Sequence, residues 1–420
     1  MDSIHIYGGE PLFGQVRVQG SKNAALPLLA ATVLVRGISV LENCPRISDI
    51  FNMIKILDSM GAVVSWEGST VIVDATNIKE SRLPEEYVIR MRSSIVLMGA
   101  LLGRVGEATM CYPGGCVIGK RPVDMHLDSM KQLGCDIEEL DGGVIAKCSK
   151  KKPQGSVINL RISSVGVTEN IILASVLADG VTIIKNAARE PEVHSLCLFL
   201  KNAGAMIEGI GSNILQIEGV NQLKGTTYKV PADRIVAGTY VLACMATGGV
   251  LQIQDAPISH LQSFLLEVSK MGATIQEDSG ILTVAAPKRG KAIPYLETDI
   301  YPGFPTDLQS PLLVALAVSN GTSVIKETIF ENRFRIVKEL NLMGAKITVH
   351  GNVAYIEGVN QLEGKNVIAE ELRGGAALIL AGLAAKGITT INNKHFIDRG
   401  YENIEKDLRN LGAKIVTNEA

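Results

Sequence analysis

The sequence predicts an α/β protein of two domains, each built from three repeats with buried apolar helices and sheets outside them. The first observation is a glycine that six times ends an amphipathic, helix-like segment and precedes a strand-like one. These glycines are 68 to 73 residues apart and comprise Gly61, Gly134, Gly204, Gly272, Gly344 and Gly412. The second observation is a further apolar helix in every repeat. Together they predict six repeats of about 70 residues, three per domain.

Each repeat is predicted to contain two helices of different character. The helix that ends at the repeat glycine is amphipathic. This glycine is typical of a helix C-cap that gives way to a β-branched strand. The other helix is apolar nearly all round, as expected for a buried helix. Its six copies lie at residues 24–34, 94–102, 169–178, 237–246, 311–318 and 376–385. A glycine and a strand follow each copy, so the repeat is predicted as helix, strand, helix, strand, strand.

The repeats predict where the domains begin and end. Units of this size are too large for a solenoid, which favours two domains of three units. The first apolar helix begins near Lys22, and the fourth follows residues 231–234. The leading strands, at 4–7 and 15–19, are expected to pair with the end of the chain. We therefore predict a continuous domain of residues 22–231 and a discontinuous one of residues 1–21 plus 232–420.

Composition excludes several classes of protein. Of 420 residues, 46% are apolar and 20% charged, which predicts a globular protein with large cores. The net charge of −2 disfavours binding of nucleic acid or membrane surfaces through bulk charge. We expect neither a secretory signal nor a membrane span, because no long apolar run is present. Seven scattered cysteines without a CxxC pair favour a reduced cytoplasm and disfavour a zinc site.

Charged and glycine-rich loops recur at two phases of the repeat. One phase is the N-terminus of the apolar helix, at residues 21–23, 90–92, 163–166, 233–234, 306–307 and 371–373. The other is the loop before the amphipathic helix, at residues 46, 116–121, 189–190, 332–333 and 398–399. Helix N-termini with added Lys and Arg make anion sites. For a single residue, a helix cap or a solvated charge is the alternative, but recurrence in phase favours a multiply anionic ligand.

The most unusual of these loops spans residues 112–126. Its Cys116 lies among glycines, and Lys120 and Arg121 follow at once, so nearby positive charge favours the thiolate. We interpret Cys116 as a nucleophile or proton donor rather than as an inert, core-filling thiol. Residues 114–120 also fit the first seven positions of a P-loop. Arg121 then stands where Ser or Thr should hold magnesium, so we interpret that match as accidental.

Five motifs of the chain resemble the UDP-N-acetylglucosamine 1-carboxyvinyltransferase family, enolpyruvyl transferases of bacterial peptidoglycan synthesis. The resemblance covers essentially the whole chain and is carried by Gly20–Asn23, Pro113–Asp124, Tyr301–Asp307, Phe330–Phe334 and Ile397–Tyr401. It implies a two-domain inside-out α/β barrel of six repeats, in agreement with the count above. It also implies transfer of the enolpyruvyl group of phosphoenolpyruvate to the 3′-hydroxyl of UDP-N-acetylglucosamine, with release of phosphate by addition and elimination. No cofactor or metal is implied.

The resemblance also implies roles for individual residues. Cys116 is implied to protonate C3 of phosphoenolpyruvate and to be able to form a covalent adduct with it. Closure of the loop over anionic substrates would raise the pKa of this thiol enough to keep its proton. Asp307 is implied to accept the hydroxyl proton, and Lys22, Arg121 and Arg399 to hold the phosphate and carboxylate. The implied substrate-binding residues are Lys22, Asn23, Arg92, Arg121, Pro122, Val123, Asp124, Met125, Asp307, Ile329, Arg373 and Arg399.

Two positions depart from the family's pattern. Glu371 precedes Leu-Arg where the family often has Asp, and Arg161 precedes residues 164–166 where some members place a lysine near the diphosphate. Neither position belongs to the implied catalytic set. The resemblance further implies that Arg373 stabilises a closed state and that Arg333 is structural to the closed cleft.

Partners and alternatives follow from the same resemblance. The implied partners are the two small-molecule substrates, with fosfomycin-type epoxides as covalent inhibitors at Cys116, and a monomeric state. One alternative is a 3-phosphoshikimate enolpyruvyl transferase, in which a cysteine loop between Tyr112 and Pro122 is not expected. The other is a low-activity regulatory paralogue, and retention of Lys22, Cys116, Asp307 and Arg399 argues against it. Nucleotide hydrolysis without added sugar would favour the P-loop interpretation instead.

Overall fold

The six repeat glycines all have a left-handed backbone in the structure, a computed structural model that describes residues 2–114 and 122–418. Their φ angles are 97° at Gly61, 79° at Gly134, 106° at Gly204, 101° at Gly272, 91° at Gly344 and 100° at Gly412. Glycine adopts this conformation without the steric cost that a side chain brings. Each of these glycines comes directly after the C-cap residue of an amphipathic helix, such as Met60 before Gly61, so a glycine ends each helix as predicted, one position beyond the cap itself.

Helices and strands alternate in the predicted order. Within the described residues the α-helices are α1 (Lys22–Thr32), α2 (Ser48–Ser59), α3 (Glu85–Val88), α4 (Val96–Val105), α5 (Asp124–Gln132), α6 (Val165–Ser175), α7 (Pro191–Asn202), α8 (Arg234–Thr247), α9 (Gln262–Lys270), α10 (Gln309–Ala317), α11 (Val337–Leu342), α12 (Leu372–Ala384) and α13 (Ile404–Asn410). Short 3₁₀ helices lie at Arg92–Ile95, Ile258–His260, Thr306–Leu308, Arg333–Ile336 and Lys394–Arg399.

The strands fill the remaining positions of each repeat. They are β1 (Ser3–Tyr7), β2 (Leu12–Arg17), β3 (Ile38–Glu42), β4 (Val63–Glu67), β5 (Thr70–Asp74), β6 (Glu107–Cys111), β7 (Cys135–Leu140), β8 (Gly143–Cys148), β9 (Val157–Asn159), β10 (Val181–Lys185), β11 (Met206–Glu208), β12 (Ile214–Glu218), β13 (Thr227–Lys229), β14 (Gly249–Gln254), β15 (Thr274–Asp278), β16 (Ile281–Ala286), β17 (Leu296–Glu297), β18 (Thr322–Lys326), β19 (Lys346–His350), β20 (Val353–Glu357), β21 (Leu362–Glu363), β22 (Asn366–Ile368), β23 (Ala385–Lys386), β24 (Ile388–Asn392) and β25 (Lys414–Asn418). The succession α1, β3, α2, β4, β5 is the predicted helix, strand, helix, strand, strand, and it recurs along the chain.

The chain divides into two compact units. In the described residues, one unit comprises 20–114 with 122–231, and the other comprises 2–19 with 232–418. The limits predicted from the sequence are 22–231 for one domain and 1–21 with 232–420 for the other. That these units act as two enolpyruvyl-transferase domains stays a prediction.

Over the described residues, each unit contains three main sheets, which have four strands of one design except for the three-stranded β6-β8-β7. In the unit of residues 20–231 the strand orders are β13-β3-β5-β4, β6-β8-β7 and β11-β12-β10-β9. In the other unit they are β15-β16-β14-β2, β17-β18-β20-β19 and β22-β24-β1-β25, beside a two-stranded β21-β23. Every four-stranded sheet combines one parallel pair with two antiparallel pairs. The repeat read from the sequence is therefore a repeat of the sheet as well.

The two leading strands have different partners. Strand β1 lies between β24 and β25, with Ile4 opposite both Ile391 and Thr417, so its predicted pairing with the chain end is confirmed. The same prediction for the second strand was wrong, because β2 pairs in parallel with β14 of the fourth repeat, Gly14 opposite Leu251. Alternating burial shows which face of a strand points inward, but it does not specify the neighbouring strand.

The apolar helices form the core of each unit. Helices α1, α4 and α6 are buried along most of their length in one unit, and α8, α10 and α12 in the other. A Cβ added at Gly99 of α4 would lie 2.2 Å from the carbonyl oxygen of Asn170 on α6, so glycine permits this close approach. Strands such as β10 and β12 alternate buried and exposed residues. Helices inside and sheets outside therefore confirm the predicted fold class.

Candidate active site

The predicted site residues are distributed over both units. Lys22, Asn23, Arg92 and the segment 122–125 belong to the unit of residues 20–231, whereas Asp307, Ile329, Arg373 and Arg399 belong to the other. Cys116 and Arg121 lie outside the described residues, as does Lys120. The predicted convergence of residues from the two units on one anionic ligand stays a prediction.

Lys22 is held by a buried carboxylate. It occupies the first position of α1, where the Ser21 side chain caps the helix by accepting from the Ala24 N–H at 3.3 Å. Its Nζ lies 2.8 Å from Oδ2 of Asp49, whose side chain is 2% exposed. Asp49 lies in the first turn of α2, where the helix dipole favours a negative charge. The ion pair therefore fixes the lysine beside the N-terminus of α1, where half-buried Asn23 follows it.

Arg92 meets the segment that follows the cysteine loop. It opens the 3₁₀ helix Arg92–Ile95, and its Nη2 donates to the carbonyl oxygen of Pro122 at 3.1 Å. Two predicted substrate-binding residues, far apart in sequence, are thus in direct contact. Val123 and Met125 are half-buried beside them.

Asp124 forms an ion pair with Arg161. Asp124 is the first residue of α5, and Nη2 of Arg161 contacts its Oδ2, with both side chains largely exposed. Arg161 is the residue at which the chain departs from the family's lysine pattern. A cation is therefore retained next to the predicted substrate-binding segment, although it comes from a residue that the sequence analysis had only noted as a departure.

A buried hydrogen-bond network anchors α5. Oδ1 of Asn170 accepts from the Gly99 N–H at 2.6 Å, which identifies Nδ2 as the donating atom of this amide. Nδ2 lies 3.2 Å from the Ile95 carbonyl oxygen and 3.0 Å from Nδ1 of His126. Nδ1 of His126 is therefore the accepting nitrogen of the ring. This network connects α4, α5 and α6 near the N-terminus of α5, where Asp124 lies.

Asp307 lies between two arginines. Its Oδ1 accepts from Nη2 of Arg333 at 2.5 Å, and its Oδ2 accepts from Nη2 of Arg373 at 3.0 Å. The aspartate side chain is 26% exposed, whereas Arg333 is only 2% exposed and Arg373 4%. Arg333 also donates to the Thr306 carbonyl oxygen, which fixes its guanidinium. The structure thus brings together three residues that the sequence analysis had singled out separately.

The Tyr401 hydroxyl forms a hydrogen bond with Arg373. The Thr239 hydroxyl donates to the Ile235 carbonyl oxygen at 2.8 Å, so the Tyr401 hydroxyl, 2.8 Å from Thr239 Oγ1, donates to it. Its oxygen then accepts from Nη1 of Arg373 at 3.5 Å. Burial opposes the charge of Arg373, but Asp307 and Tyr401 outweigh it, and the pKa of the guanidinium is raised. Arg373 therefore stays charged in a buried position.

Glu371 caps the helix that carries Arg373. Its Oε2 accepts from the Arg373 N–H at 2.7 Å, and its Oε1 accepts from the Gly374 N–H. Oε2 also lies 3.9 Å from Nη1 of Arg333. The extra methylene relative to Asp is accommodated, because the longer side chain still reaches two free N–H groups of α12. Thus the departure at this position preserves the helix N-terminus.

Glu327 connects the loop of Ile329 to the segment of Asp307. This buried carboxylate accepts from the Ile329 N–H at 2.8 Å and from the Thr306 hydroxyl at 3.1 Å. Ile329 and Thr306, the neighbour of Asp307, are therefore bonded to one side chain. Arg399 is half-buried at the end of the 3₁₀ helix Lys394–Arg399.

Asp49, Glu327 and Tyr401 were assigned no role from the sequence. Each acts through a contact across the fold, and an acidic residue early in a helix, such as Asp49, is by itself an ordinary cap signal. Over residues 2–114 and 122–418, no three His, Cys, Asp or Glu side chains are grouped so that they could hold a metal ion. Over the same residues, every helix is too short or too polar to span a bilayer.

Comparison with known proteins identifies relatives over nearly the full length. A sequence model of the family described as EPSP synthase (3-phosphoshikimate 1-carboxyvinyltransferase) matches residues 6–408. A protein of Caldanaerobacter subterraneus subsp. tengcongensis named UDP-N-acetylglucosamine 1-carboxyvinyltransferase 2 is 46% identical over 416 residues, 99% of each chain. A Geobacter metallireducens protein named UDP-N-acetylglucosamine 1-carboxyvinyltransferase is 44% identical over 415 residues, again 99% of each.

Solved structures share the fold. The enolpyruvyl transferase NikO from Streptomyces tendae superposes with a TM-score of 0.89 at 26% identity, covering 100% of this chain and 99% of NikO. EPSP synthase from Acinetobacter baumannii gives a TM-score of 0.75 at 18% identity, covering 100% of both chains. The second likeness bears on the fold alone.

Proposed function

The chain belongs to the family of UDP-N-acetylglucosamine 1-carboxyvinyltransferases, and we propose that it transfers the enolpyruvyl group of phosphoenolpyruvate to the 3′-hydroxyl of UDP-N-acetylglucosamine. The observation that carries this proposal is 46% identity over 99% of a chain of that name. In the reaction, the sugar oxygen bonds to C2 and a proton adds to C3. Loss of a C3 proton and of phosphate then restores the double bond. The product would begin peptidoglycan synthesis in the cytoplasm.

Asp307 is the proposed acceptor of the hydroxyl proton. The guanidinium groups of Arg333 and Arg373 favour the ionised carboxylate, which is the form that can accept a proton. They also occupy one oxygen each. Each carboxylate oxygen has a second lone pair, so the sugar hydroxyl can donate to Asp307 without displacing either guanidinium. Both arginines are held in place, Arg333 by the Thr306 carbonyl oxygen and Arg373 by the Tyr401 hydroxyl.

Lys22, Arg121 and Arg399 are the proposed ligands of the phosphate and carboxylate of phosphoenolpyruvate. Lys22 lies at the N-terminus of α1, so its charge and the helix dipole act on the same anion. Asp49 keeps it oriented before the anion arrives. Cys116 is the proposed donor of the C3 proton. Fosfomycin-type epoxides are proposed to alkylate it, and the enzyme is proposed to be a monomer.

The segment after the cysteine loop is proposed to bind the UDP-sugar. The proposed contact set comprises Asn23, Arg92, Arg121, Pro122, Val123, Asp124, Met125, Asp307 and Ile329. The Arg92 contact with Pro122 and the Arg161 contact with Asp124 support this segment's position. Arg161 supplies a positive charge suited to the diphosphate.

The alternatives have weaker support. EPSP synthase names the family model and a solved neighbour of 18% identity, whereas the relatives at 42–46% identity carry the UDP-N-acetylglucosamine name. Caldanaerobacter has two such relatives, numbered 1 and 2. The occurrence of two copies in one organism is the observation that supports the paralogue alternative.

A phosphate-release assay with both substrates tests the proposal. Phosphate should appear only when phosphoenolpyruvate and UDP-N-acetylglucosamine are present together. Release with shikimate 3-phosphate in place of the UDP-sugar would favour the first alternative. No release with any acceptor, or equal release without the sugar, would overturn the assignment.

A further inference from the structure

Two cysteines face each other across a hairpin in the unit of residues 20–231. Cys135 begins β7 and Cys148 ends β8, and the two residues are direct partners in the antiparallel register. Their Sγ atoms are 2.9 Å apart. A disulfide requires an S–S distance of about 2.05 Å, so the sulfurs need to approach by only about 0.9 Å. Both residues are unbonded thiols in this structure.

The hydrogen bonding of β8 shows that this pair has favourable backbone geometry. The Cys148 N–H donates to the Gly106 carbonyl oxygen at 2.8 Å, on the side away from β7. Cys148 and Cys135 are therefore a non-hydrogen-bonded pair of the ladder. Such pairs have Cα atoms about 4.5 Å apart and the closer side chains, which lies within the Cα range of disulfides. No strand needs to shift for the bond to form.

Burial and a raised thiol pKa make the pair slow to react with an oxidant in solution. Cys135 is 4% exposed and Cys148 is 3% exposed, on the inward face of the sheet. The hydrogen bond to Cys148, together with burial, raises the pKa of the Cys135 thiol. The pair lies at the open end of the hairpin, opposite the turn at Asp141 and Gly142.

We propose that Cys135 and Cys148 are an oxidation site that a peroxide converts to a cross-strand disulfide. One thiolate attacks a peroxide oxygen and becomes a sulfenic acid, with release of one water. The second thiol attacks that sulfur and expels another water. Two thiols and one hydrogen peroxide thus give one disulfide and two waters. The proposal rests on the hairpin and is independent of the proposed enzymatic function.

Peptide mapping of the full-length protein tests the site. The reduced protein is exposed to hydrogen peroxide without denaturant, its remaining thiols are alkylated in denaturant, and it is digested with trypsin. Cleavage after Lys131, Lys147 and Lys150 separates peptide 132–147 from peptide 148–150. A disulfide joins these two peptides with the loss of two hydrogen atoms.

The joined peptide should form in the wild type and in Cys197→Ser, a matched variant at another buried thiol. It should be lost in Cys135→Ser and in Cys148→Ser. Recovery of both peptides in singly alkylated form would overturn the proposal, as would their attachment to another cysteine. Formation of the joined peptide only after unfolding would also overturn it, because the native hairpin would then play no part.

Discussion

Nη2 of Arg373 donates to Oδ2 of Asp307 at 3.0 Å, and this contact joins the first turn of α12 to the 3₁₀ helix that precedes α10. The other oxygen of Asp307 accepts from Arg333. Both arginines are almost completely buried, whereas the carboxylate retains some exposure. A ligand can therefore reach the aspartate, while the cations are held by the fold.

Replacing Asp307 by Asn should remove the proposed proton acceptor. Because a positioned acid or base contributes about 10²–10⁴-fold, we expect kcat to fall by about that factor. The measurement is steady-state phosphate release with both substrates. The matched control is Asp278→Asn, at an exposed position of β15, which should keep wild-type kcat. Full activity of Asp307→Asn would remove Asp307 from the role.

Replacing Tyr401 by Phe should loosen Arg373. The change deletes the hydroxyl that lies between Thr239 and Arg373, at a stability cost of about 1 kcal/mol. Because Arg373 belongs to the predicted substrate-binding set, we expect a several-fold rise in the KM for substrate with a smaller change in kcat. Tyr240→Phe is the control, since it removes another buried hydroxyl, which donates to Asp407. Equal KM values for both variants would mean that Tyr401 is merely structural.

Replacing Asp49 by Asn should release Lys22. The neutral amide keeps the shape of the side chain but removes the charge that lies 2.8 Å from Nζ. If Lys22 is oriented by Asp49, kcat/KM for phosphoenolpyruvate should fall by about tenfold. This corresponds to a loss of about 1.4 kcal/mol of transition-state stabilisation. Asp58→Asn changes an exposed carboxylate of the same helix and serves as the control. An unchanged kcat/KM in Asp49→Asn would contradict the orienting role.

Glu169 should make stability depend on pH. Burial, followed by the charges of Glu192 and Glu190, raises the pKa of this carboxyl well above 4.5. The folded state therefore holds a proton that the unfolded state releases above about pH 4.5, so this residue's contribution to stability falls as pH rises from there towards the folded-state pKa.

Glu169→Gln removes that titration. The variant should gain stability relative to the wild type as pH is raised from about 5 to about 8 in urea unfolding experiments. Glu218→Gln, on the exposed side of β12, is the control and should show no comparable trend. A stability difference that does not change with pH would contradict the prediction.

Local patterns predicted most of the fold. The six glycines, such as Gly61 and Gly412, mark helix ends because a left-handed C-cap is a property of a few neighbouring residues. The apolar helices were predictable for the same reason, since their composition leaves no polar face to expose. The partner of β2 was predicted wrongly, because strand pairing joins segments more than two hundred residues apart.

By itself, the sequence determined six repeats, buried helices, two sets of three units and the family to which the chain belongs. Tertiary structure alone decided which carboxylate meets which cation: Lys22 with Asp49, Asp124 with Arg161, and Asp307 with Arg333 and Arg373. It also set Cys135 against Cys148. Periodicity and caps are encoded over a few residues, whereas these contacts depend on how distant elements pack, and side-chain chemistry does not by itself select a partner.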